Sequence, residues 1–452
     1  MATIPMRVHM IGAGGAGMSG LAKLLSQRGH DVTGSDLKPG RMLRGLDDVG
    51  VTTWIGHKTE AMRAVDLVVA SSAVPDTDPE IVAARAAGVP VWRRPTLLNA
   101  LTKEIPTSGL AGTHGKTTST ALMITAMRGM GLDPTFLVGG TLIGLNTGAH
   151  LGDPSRMILE ADEAFGTFRH LVMDSLLVTN IEADHLDHYG TLAGLEDAFA
   201  QVAGAIHGPT VGCIDDAGVR RLAMRTSLIT YGFAAEADWI VGGVTHDEGT
   251  LSFTVTHVDG VVDVHLPRPG NHLALNATGV IALLHELGHD PQAASDALLD
   301  FQGVKRRYEI AARIDDITIV DDYAHHPTEV AATIAAAKQG TNANVIAVFQ
   351  PHRYTRTADL APLFGEPLAQ ADRVFVTDVY SAGETPIIGV SGRIVAEAVE
   401  AAGGTASYVP KVMDVAARVA AVVRPGDTVL LLGAGDINAV VTDLVGLIEA
   451  DA

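Results

Sequence analysis

A glycine-rich loop that ends in lysine and threonine lies in the middle of the chain. Its residues are Gly112-Thr113-His114-Gly115-Lys116-Thr117-Thr118, and a helical pattern over Ser119–Arg128 follows. Glycines allow several backbone N–H groups to point at one anion, the lysine adds a positive charge, and the first threonine hydroxyl suits a magnesium ion. The loop predicts a site for the phosphates of a nucleoside triphosphate, in a shortened form, because Leu110 stands where the strict motif has glycine. A helix that Gly and Thr cap is the structural alternative.

Acidic and histidine side chains follow two predicted strands of the same region. Glu160-Ala161-Asp162-Glu163 ends the strand Met157–Glu160, and Asn180–Asp187, which contains His185, follows the strand Leu176–Thr179. Carboxylates at a strand end beside a phosphate loop are well placed to hold magnesium, so we expect these side chains at the same sheet edge as the loop lysine. An acid-rich helix start and a structural histidine are the alternatives.

A second glycine loop lies near the start of the chain. Gly12-Ala13-Gly14-Gly15-Ala16-Gly17 satisfies G-x-G-x-x-G, and Asp36 follows at about the twenty-residue spacing of a dinucleotide site. The pattern predicts a pyrophosphate at the N-terminus of the following helix. Any diphosphate nucleotide fits it, including NAD and a UDP-sugar, so this loop alone also supports a dehydrogenase.

Cationic and histidine side chains cluster in the last third of the chain. His352, Arg353 and Arg356 follow the predicted strand Val345–Phe349, and His325-His326-Pro327 precedes a helix with proline at its first position. Arginine binds carboxylates through two parallel hydrogen bonds, so these loops predict a pocket for an acid group. A solvated charged turn is the alternative.

Two further polar pairs have more than one interpretation. His272 and Asn276 lie four residues apart, on one face of a predicted helix start. They suit a purine site and equally a cap with a polar surface. Arg306-Arg307 lies at a predicted domain boundary, where it fits a hinge, a phosphate contact or an exposed pair.

The composition is typical of several compact domains. A chain of 452 residues is too long for one core, so we expect two to four domains, and 47% apolar residues are enough to form their cores. A formal charge of −20 argues against a nucleic-acid partner, and no apolar run reaches the length of a membrane helix. Cys213 is the only cysteine, which excludes an intrachain disulfide. Residues 1–6 lack the features of a signal peptide, so the expected location is cytoplasmic.

Strands that alternate with helices divide the chain into three predicted domains, residues 1–103, 104–304 and 305–452. The first and third are typical of Rossmann-like, doubly wound parallel sheets. Around Asp238–Leu266 the pattern has period two, which predicts a small antiparallel sheet at the side of the central one. The predicted fold class is α/β, with two Rossmann-like sheets flanking a central P-loop ATPase domain.

Taken in order, these residues resemble the Mur ligase family over essentially the whole chain. The segments that carry the resemblance are Gly12–Gly17 with Ser19, Gly112–Thr118, Glu160–Glu163, Asn180–Asp187, Gly270–Asn276, Phe301–Arg307, Asp322–Glu329, Gln350–Arg356 and Asp378–Glu384. The resemblance implies a UDP-binding, an ATP-binding and an amino-acid-binding domain. It is strongest to the member that joins L-alanine to the lactyl carboxylate of UDP-N-acetylmuramate through an acyl phosphate, with release of ADP, in peptidoglycan precursor synthesis.

The resemblance also implies a role for each candidate residue. The UDP-sugar would contact Gly12, Gly14, Gly15, Ala16, Gly17, Asp36, His57, Ser71 and Ser72. ATP would contact Gly112, Thr113, His114, Gly115, Lys116, Thr117 and Thr118, with adenine between His272 and Asn276. One magnesium ion, or manganese in its place, would bind Thr117 and Glu163, and a second would bind His185. L-alanine would contact Tyr323, His325, His352, Arg353 and Arg356.

The expected catalytic residues are Lys116, which grips the transferred phosphate, and His185 or His325, which would accept the proton of the amine. The expected partners are UDP-N-acetylmuramate, L-alanine and ATP, with no nucleic acid and no membrane, for a monomer or homodimer. Two positions depart from the family pattern. Ala164-Phe165-Gly166-Thr167 stands where Ser-Asp-Ala-Ser is usual, and Leu273 stands where Asn is common.

Three alternatives to this function stay open at the level of the sequence. A sister ligase would add a later residue, attach a whole tripeptide or extend folate with glutamate, and the last is disfavoured by the N-terminal block of UDP type. A nicotinamide dehydrogenase fits Gly12–Gly17 and Asp36 but leaves Gly112–Thr118 unexplained. A regulatory ATPase without ligase chemistry is hard to reconcile with the cationic loops of the third domain.

Overall fold

The computed structural model describes residues 3–247, 249–341 and 343–451, without the side chains of Phe165, Asp187 and Asp451. The chain forms two compact units. The first contains Met1–Gly242, Val255–Val264 and Leu275–Phe301, and the second contains Gly243–Thr254, His265–Ala274 and Gln302–Ala452. Among the described residues, none of the helices combines the length and the apolar character that crossing a lipid bilayer requires.

A five-stranded parallel sheet opens the first unit. Its elements are β1 (Arg7–Ile11), α1 (Ala16–Gln27), β2 (Asp31–Asp36), α2 (Arg41–Asp47), β3 (Thr52–Ile55), β4 (Leu67–Ala70), α3 (Pro79–Ala86), β5 (Val91–Arg93) and α4 (Arg94–Glu104). The strand order is β3-β2-β1-β4-β5, with β2 and β4 parallel to the central β1. The order reverses at β1, and in open α/β sheets such a switch point is where a ligand binds, beyond the carboxyl ends of the strands.

The central sheet has ten strands in the described part of the chain. Its elements are β6 (Thr107–Ala111), α5 (Lys116–Gly129), β7 (Pro134–Leu142), β8 (Thr147–His150), β9 (Asp153–Glu160), β10 (Ser175–Val178), α6 (Leu186–Tyr189), α7 (Leu192–Gly204), β11 (Thr210–Cys213), α8 (Ala217–Ala223), β12 (Ile229–Gly232), β13 (Trp239–Asp247), β14 (Thr250–His257), β15 (Gly260–Leu266), α9 (Asn271–Glu286) and α10 (Pro291–Asp296). The order is β15-β14-β13-β12-β11-β10-β6-β9-β7-β8. Because β6 lies between β9 and β10 and is parallel to both, the phosphate loop leaves the sheet beside their carboxyl ends.

The strands with the period-two pattern extend the central sheet. β12 pairs with β13 in parallel, with Tyr231 opposite Trp239, and β14 and β15 follow in the strand order. Along β14, Leu251, Phe253 and Val255 are buried and the residues between them are partly exposed, as the alternation predicted. The predicted small sheet is therefore present as a continuation of the main one.

Helix α1 packs directly against the central sheet within the first unit. A Cβ on Gly20 would lie 2.5 Å from Leu137 Cδ1 and 3.3 Å from Ala149 Cβ, so a larger residue there would require Leu137 to move. Nearby, Lys23 Nζ donates to Thr147 Oγ1 at 2.8 Å. The buried cluster around α1 includes Leu137 and Leu159 of the central sheet, so the first two sheets share one apolar core.

The second unit contains a six-stranded sheet. Its elements are β16 (Glu309–Ile314), β17 (Ile317–Asp322), α11 (Pro327–Gly340), β18 (Val345–Phe349), α12 (Tyr354–Leu360), α13 (Gly365–Ala369), β19 (Arg373–Val376), α14 (Gly392–Ala401), β20 (Ala406–Tyr408), α15 (Val415–Ala420), β21 (Thr428–Leu432) and α16 (Val440–Asp451). The order is β16-β17-β21-β18-β19-β20, and β16 is antiparallel to β17 whereas the other pairs are parallel. A separate apolar cluster covers each face of this sheet.

Short 3₁₀ turns complete the described elements, at Thr59–Arg63, Ala164–His170, Ala297–Asp300, Ala361–Phe364, Val412–Asp414 and Ile437–Ala439. The predicted α/β fold class is confirmed, with two Rossmann-like sheets and a central sheet around the phosphate loop. Helix α5 begins at Lys116, earlier than the predicted Ser119, because the left-handed Gly115 (φ +81°) ends the loop directly before the lysine.

Candidate active site

The phosphate loop requires glycine at two positions. Gly112 follows the buried strand β6 with φ +132°, and a Cβ there would lie 2.0 Å from Thr179 Oγ1. Gly115 has φ +81°, and its Cβ would lie 2.9 Å from Asn276 Oδ1. Both the left-handed backbone and the close neighbours exclude larger residues. The loop is therefore held in one tight conformation at the start of α5.

The end of strand β10 holds this loop in place. His114 N donates to Asn180 Oδ1 at 2.8 Å, and Asn180 Nδ2 returns a hydrogen bond to the His114 carbonyl at 3.1 Å. Thr179 Oγ1 donates to the same carbonyl at 2.5 Å, and Thr113 Oγ1 accepts from Glu182 N at 2.9 Å. These contacts satisfy the hydrogen-bonding groups on the side of the loop that faces β10. They therefore fix the orientation of the loop backbone that would bind phosphate.

The ammonium of Lys116 lies among acceptors of the loop and the acids after β9. Its Nζ donates to the carbonyls of Gly112 at 2.6 Å and Thr113 at 3.1 Å, and to Glu163 Oε1 at 2.8 Å. Burial opposes the charged form, but the carboxylates of Glu163 and Asp162 outweigh burial and raise the pKa of Lys116. The lysine is thus charged at neutral pH and is held where a transferred phosphate needs a cation.

Two acids three residues apart contact adjacent residues of α5. Thr117 Oγ1 donates to Glu160 Oε1 at 3.0 Å, and Gly139 N donates to Glu160 Oε2 at 2.8 Å. Glu163 is 1% exposed, and both of its carboxylate oxygens lie 2.8 Å from Lys116 Nζ. Carboxylate oxygens beside a threonine hydroxyl are the donor set that magnesium prefers. The residues present therefore fit a divalent cation.

His185 lies next to this acid pair. Its Nε2 is 4.0 Å from Glu163 Oε1 and 3.9 Å from Asp184 Oδ2, and its backbone is left-handed with φ +54° at the start of α6. Tyr189 OH, from the same short helix, donates to the Glu163 carbonyl at 2.5 Å. The structure thus brings the predicted residues Lys116, Thr117, Glu163 and His185 together.

The two residues predicted to flank adenine both lie on α9, but in different units of the structure. Asn276 belongs to the first unit, where its side chain packs against Gly115 of the phosphate loop. His272 belongs to the second, and burial lowers its pKa to about 4, so the ring is neutral. Both lie on the single helix α9, and the flanking of adenine stays a prediction.

The N-terminal glycine loop adjoins the end of β2. Gly14 N donates to Asp36 Oδ2 at 2.9 Å, and Gly12, with φ +78°, has Ser71 directly beside it. Ser72 is exposed next to Ser71. The loop around Gly12–Gly17 thus lies against the ends of β2 and β4, the strands on either side of β1, as a site for a diphosphate requires.

Two further side chains lie near this strand edge. His57, predicted to contact the nucleotide, has Nδ1 3.7 Å from Asp78 Oδ2. A Cβ on Gly17 would lie 2.9 Å from Arg94 Cζ, so this guanidinium covers the start of α1. Arg94 Nε is buried and has no hydrogen bond from the described residues. Arg94 was not among the predicted residues, because nothing in its neighbourhood marks it as part of a glycine-loop site.

The cationic loops of the second unit converge on a group of aromatic rings. Arg353 has φ +68° at the start of α12, and its Nε donates to Glu384 Oε1 at 2.6 Å. The guanidinium carbons of Arg306 and Arg307 lie 5.1 and 5.0 Å from the ring centre of Tyr323. Arginines around an aromatic pocket are suited to an acid group.

Both histidines of this pocket are neutral. Burial, together with the positive charges of Arg356 and Arg353, lowers the pKa of His352 to about 4, and burial lowers that of His325 to about 4. The rings lie 5.8 Å apart, edge to face, and Tyr323 lies 5.3 Å from His325. All five residues predicted to contact alanine therefore lie in the second unit, where aromatic rings contact one another and arginines lie beside them.

The hydrogen bond of His325 assigns its tautomer. Nδ1 lies 2.9 Å from the Tyr323 carbonyl oxygen, which can only accept, so Nδ1 carries the proton and Nε2 has the lone pair. The neighbouring His326 instead caps α11, where Glu329 completes a capping box and Pro327 is the first helical residue. One histidine is thus available for chemistry and the other is structural.

Comparison of this sequence with known proteins identifies the family to which it belongs. Three family models match in order: "Mur ligase family, catalytic domain" over residues 7–105, "Mur ligase middle domain" over 110–284, and "Mur ligase, glutamate ligase domain" over 306–435. A protein of Mycolicibacterium vanbaalenii named UDP-N-acetylmuramate–L-alanine ligase is 41% identical, over 99% of this chain and 97% of its own length. The chain belongs to the Mur ligase family.

Other Mur ligases agree in sequence and in fold. A UDP-N-acetylmuramate–L-alanine ligase of Acidithiobacillus ferrooxidans is 42% identical over 95% of each chain. The crystal structure of UDP-N-acetylmuramate–alanine ligase from Thermotoga maritima matches with a TM-score of 0.85 and 28% identity, over 99% of this chain and all of that one. A murein peptide ligase of Psychrobacter arcticus matches with a TM-score of 0.70 and 24% identity, over 98% and 99%, and so shares the fold.

Proposed function

We propose that this Mur ligase joins L-alanine to the lactyl carboxylate of UDP-N-acetylmuramate at the expense of ATP. The observation that carries the ATP-dependent step is the phosphate loop, in which Lys116 contacts the buried Glu163 at 2.8 Å and Thr117 contacts the half-buried Glu160 at 3.0 Å. The choice of substrates is supported by relatives that carry this activity in their names and align over nearly the full chain. The same reaction supplies a peptidoglycan precursor.

The first step activates a carboxylate, which alone is a poor acyl donor. The lactyl carboxylate attacks the γ-phosphorus of ATP, the bond to the β-phosphate oxygen breaks, and an acyl phosphate and ADP form. Lys116 neutralises charge on the phosphoryl oxygens, and the backbone N–H groups of the loop bind the phosphates. Magnesium held by Thr117 and Glu163, with Glu160 beside them, would supply further positive charge when bound.

In the second step the amine of L-alanine attacks the acyl carbon, a tetrahedral intermediate forms, and phosphate leaves. We assign the alanine carboxylate to the arginines of the second unit, with Arg353 held in place by Glu384. His325 Nε2 has the free lone pair that could accept the amine proton. His185 is the weaker choice, because a metal-bound imidazole cannot accept a proton. The acyl phosphate must be shielded from water until the amine attacks.

The remaining predictions extend this proposal. We assign residues 1–103 to the UDP-sugar, 104–304 to ATP and 305–452 to the amino acid. Gly12–Gly17, Asp36, His57 and Ser71-Ser72 would line the first of these sites. Magnesium or manganese, a cytoplasmic location, and a monomer or homodimer are part of the same proposal.

A substrate panel tests this function. Purified enzyme is incubated with ATP, magnesium and UDP-N-acetylmuramate, together with single amino acids or the tripeptide that a recycling ligase would attach, and ADP is measured. We expect ADP release with L-alanine. Release only with a later amino acid or the tripeptide would make the protein a sister ligase, release without any amino acid would support a regulatory ATPase, and reduced nicotinamide binding would revive the dehydrogenase.

The variant Lys116→Ala tests the role of the phosphate loop. The variant should lose alanine-dependent ADP release and keep UDP-N-acetylmuramate binding, because the UDP-sugar contacts are assigned to a different sheet. Calorimetric titration with the UDP-sugar provides the control. Ligation at near the wild-type rate by this variant would refute the role of the lysine.

A further inference from the structure

Three side chains outside the proposed reaction meet in the first unit. His257 is the last residue of β14, Asp259 lies in the turn between β14 and β15, and His285 lies in the last turn of α9. One ligand atom from each lies within 4.8 Å of the others. These residues come from two distant parts of the sequence, and none belongs to a motif of the phosphate, UDP or alanine sites.

The distances are too long for mutual hydrogen bonds and short enough for a shared ion. His285 Nε2 is 3.6 Å from Asp259 Oδ2, and His257 Nδ1 is 4.0 Å from the same oxygen. Zinc binds imidazole nitrogen and carboxylate oxygen at about 2.0–2.2 Å, which separates tetrahedral ligand atoms by about 3.4 Å. The ligand atoms of these two pairs would have to approach by about 0.2 and 0.6 Å to reach that spacing, which small side-chain rotations allow.

The buried ring of His257 points to a missing ligand. Its side chain is 5% exposed, and Nδ1 makes no hydrogen bond with the described residues. A buried polar atom without a partner is unfavourable unless an ion or another group satisfies it. Burial, reinforced by His285, lowers the pKa of His257 and keeps it in the neutral form that binds metals.

Trp239 holds the two histidines in orientation. Its ring stacks on His257 with a centroid distance of 4.1 Å and an angle of 3°, and it meets the edge of His285 at 5.3 Å. Asp259, at 66% exposure, leaves one side of the cluster open to solvent. A fourth ligand can therefore be water, with two preoriented imidazoles and one adjustable carboxylate.

We propose that His257, Asp259 and His285 form a binding site for a divalent transition-metal ion, with zinc the preferred class. Two imidazoles and one carboxylate suit zinc, copper or nickel, whereas magnesium requires oxygen ligands. The site is thus chemically distinct from the magnesium site at the phosphate loop. A bound ion would connect the β14–β15 turn to the C-terminal end of α9. The same helix carries Asn276, which packs against Gly115 of the phosphate loop.

Metal titration of the full-length, metal-stripped protein in excess magnesium tests the proposal. Zinc is added in a calorimeter and cobalt in a spectrophotometer, and quenching of tryptophan emission, to which Trp239 contributes, by copper or nickel is followed in parallel. We expect one ion per chain, tetrahedral cobalt absorption and quenching that saturates at the same ratio. Absence of stoichiometric zinc and cobalt binding would overturn the proposal.

Substitutions test whether zinc binds to these three residues and not to other histidines on the surface. His285→Ala and Asp259→Asn should each weaken zinc binding at least about tenfold, as loss of a direct ligand exceeds the effect of an outer-shell change. Asp259 lies on an exposed turn, so its variant keeps the test valid should His285→Ala fold poorly. His150→Ala, which removes a histidine paired with Asp133 at 3.0 Å, is the control and should leave affinity unchanged. Unaltered affinity in both ligand variants would place the ion elsewhere.

Discussion

Glu80, a buried carboxylate in the first turn of α3, offers a quantitative test of the structure. It is fully buried and accepts from Ser35 Oγ at 2.5 Å, Trp54 Nε1 at 3.0 Å and Lys58 N at 2.8 Å, with His9 Nε2 at 3.4 Å. Burial alone would raise the pKa of Glu80, but the hydrogen bonds from His9, Lys58 N–H and Ser35 outweigh it and lower the pKa from 4.5 to about 2. The carboxylate form therefore stabilises the fold.

The size of this contribution follows from proton linkage. At 1.36 kcal/mol per pH unit, a pKa of about 2 against 4.5 in the unfolded chain gives about 3 kcal/mol at pH 7. Because the folded pKa is the lower one, the contribution is present above pH 4.5 and is lost as the pH falls toward 2. By the same relation it shrinks to about 1.4 kcal/mol at pH 3.

Glu80→Gln removes the charge and keeps the shape. Urea unfolding followed by tryptophan fluorescence reports the loss directly, since Trp54 is one of the donors. The variant should lose about 3 kcal/mol of unfolding free energy at pH 7, with a smaller difference at pH 4. The exposed Glu60→Gln should change stability by less than about 0.5 kcal/mol. A difference that does not shrink with acid would refute the assigned charge state.

The remaining predictions concern the two reaction sites. Gly112→Ala should abolish ADP release, measured in a coupled assay, because the added Cβ clashes with the end of β10. Glu384→Gln should raise the KM for alanine about tenfold with little change in the KM for ATP, since Arg353 loses a charge-assisted contact; equal changes in both would oppose a positioning role. Glu163→Gln should increase the magnesium concentration for half-maximal rate more than Glu160→Gln does, and the reverse order would exchange the two ligand assignments.

Local sequence patterns predicted the elements that position the site. The predicted bounds of the strand Val345–Phe349 are confirmed, because a five-residue apolar run between polar and proline-containing turns is too short for a buried helix. The alternation along β14 predicted which of its side chains are buried. The same alternation could not predict that β13 pairs with β12, because tertiary packing determines which strands pair.

The sequence also located the acids of the phosphate site without distinguishing them. Glu160 ends β9 and contacts Thr117, whereas Glu163 lies beyond the strand and contacts Lys116. Which glutamate contacts which residue depends on where strand β9 ends. Sequence propensities predict the end of a strand only to within a few residues. Arg94 beside Gly17 was missed altogether, because the contact joins parts of the chain with no shared pattern.

The resting contacts of Lys116 connect nucleotide and metal binding. Its three N–H donors are matched by two loop carbonyls and Glu163, so phosphate can gain the ammonium only if these contacts are released. Releasing Glu163 leaves a carboxylate of 1% exposure without a countercharge, which is strongly unfavourable. A divalent cation bound at Glu163 together with the nucleotide would restore the charge balance there and would leave Lys116 free to contact the phosphate. We therefore expect this loop to bind the metal–nucleotide complex more tightly than either component alone, and nucleotide titrations with and without magnesium would measure the difference.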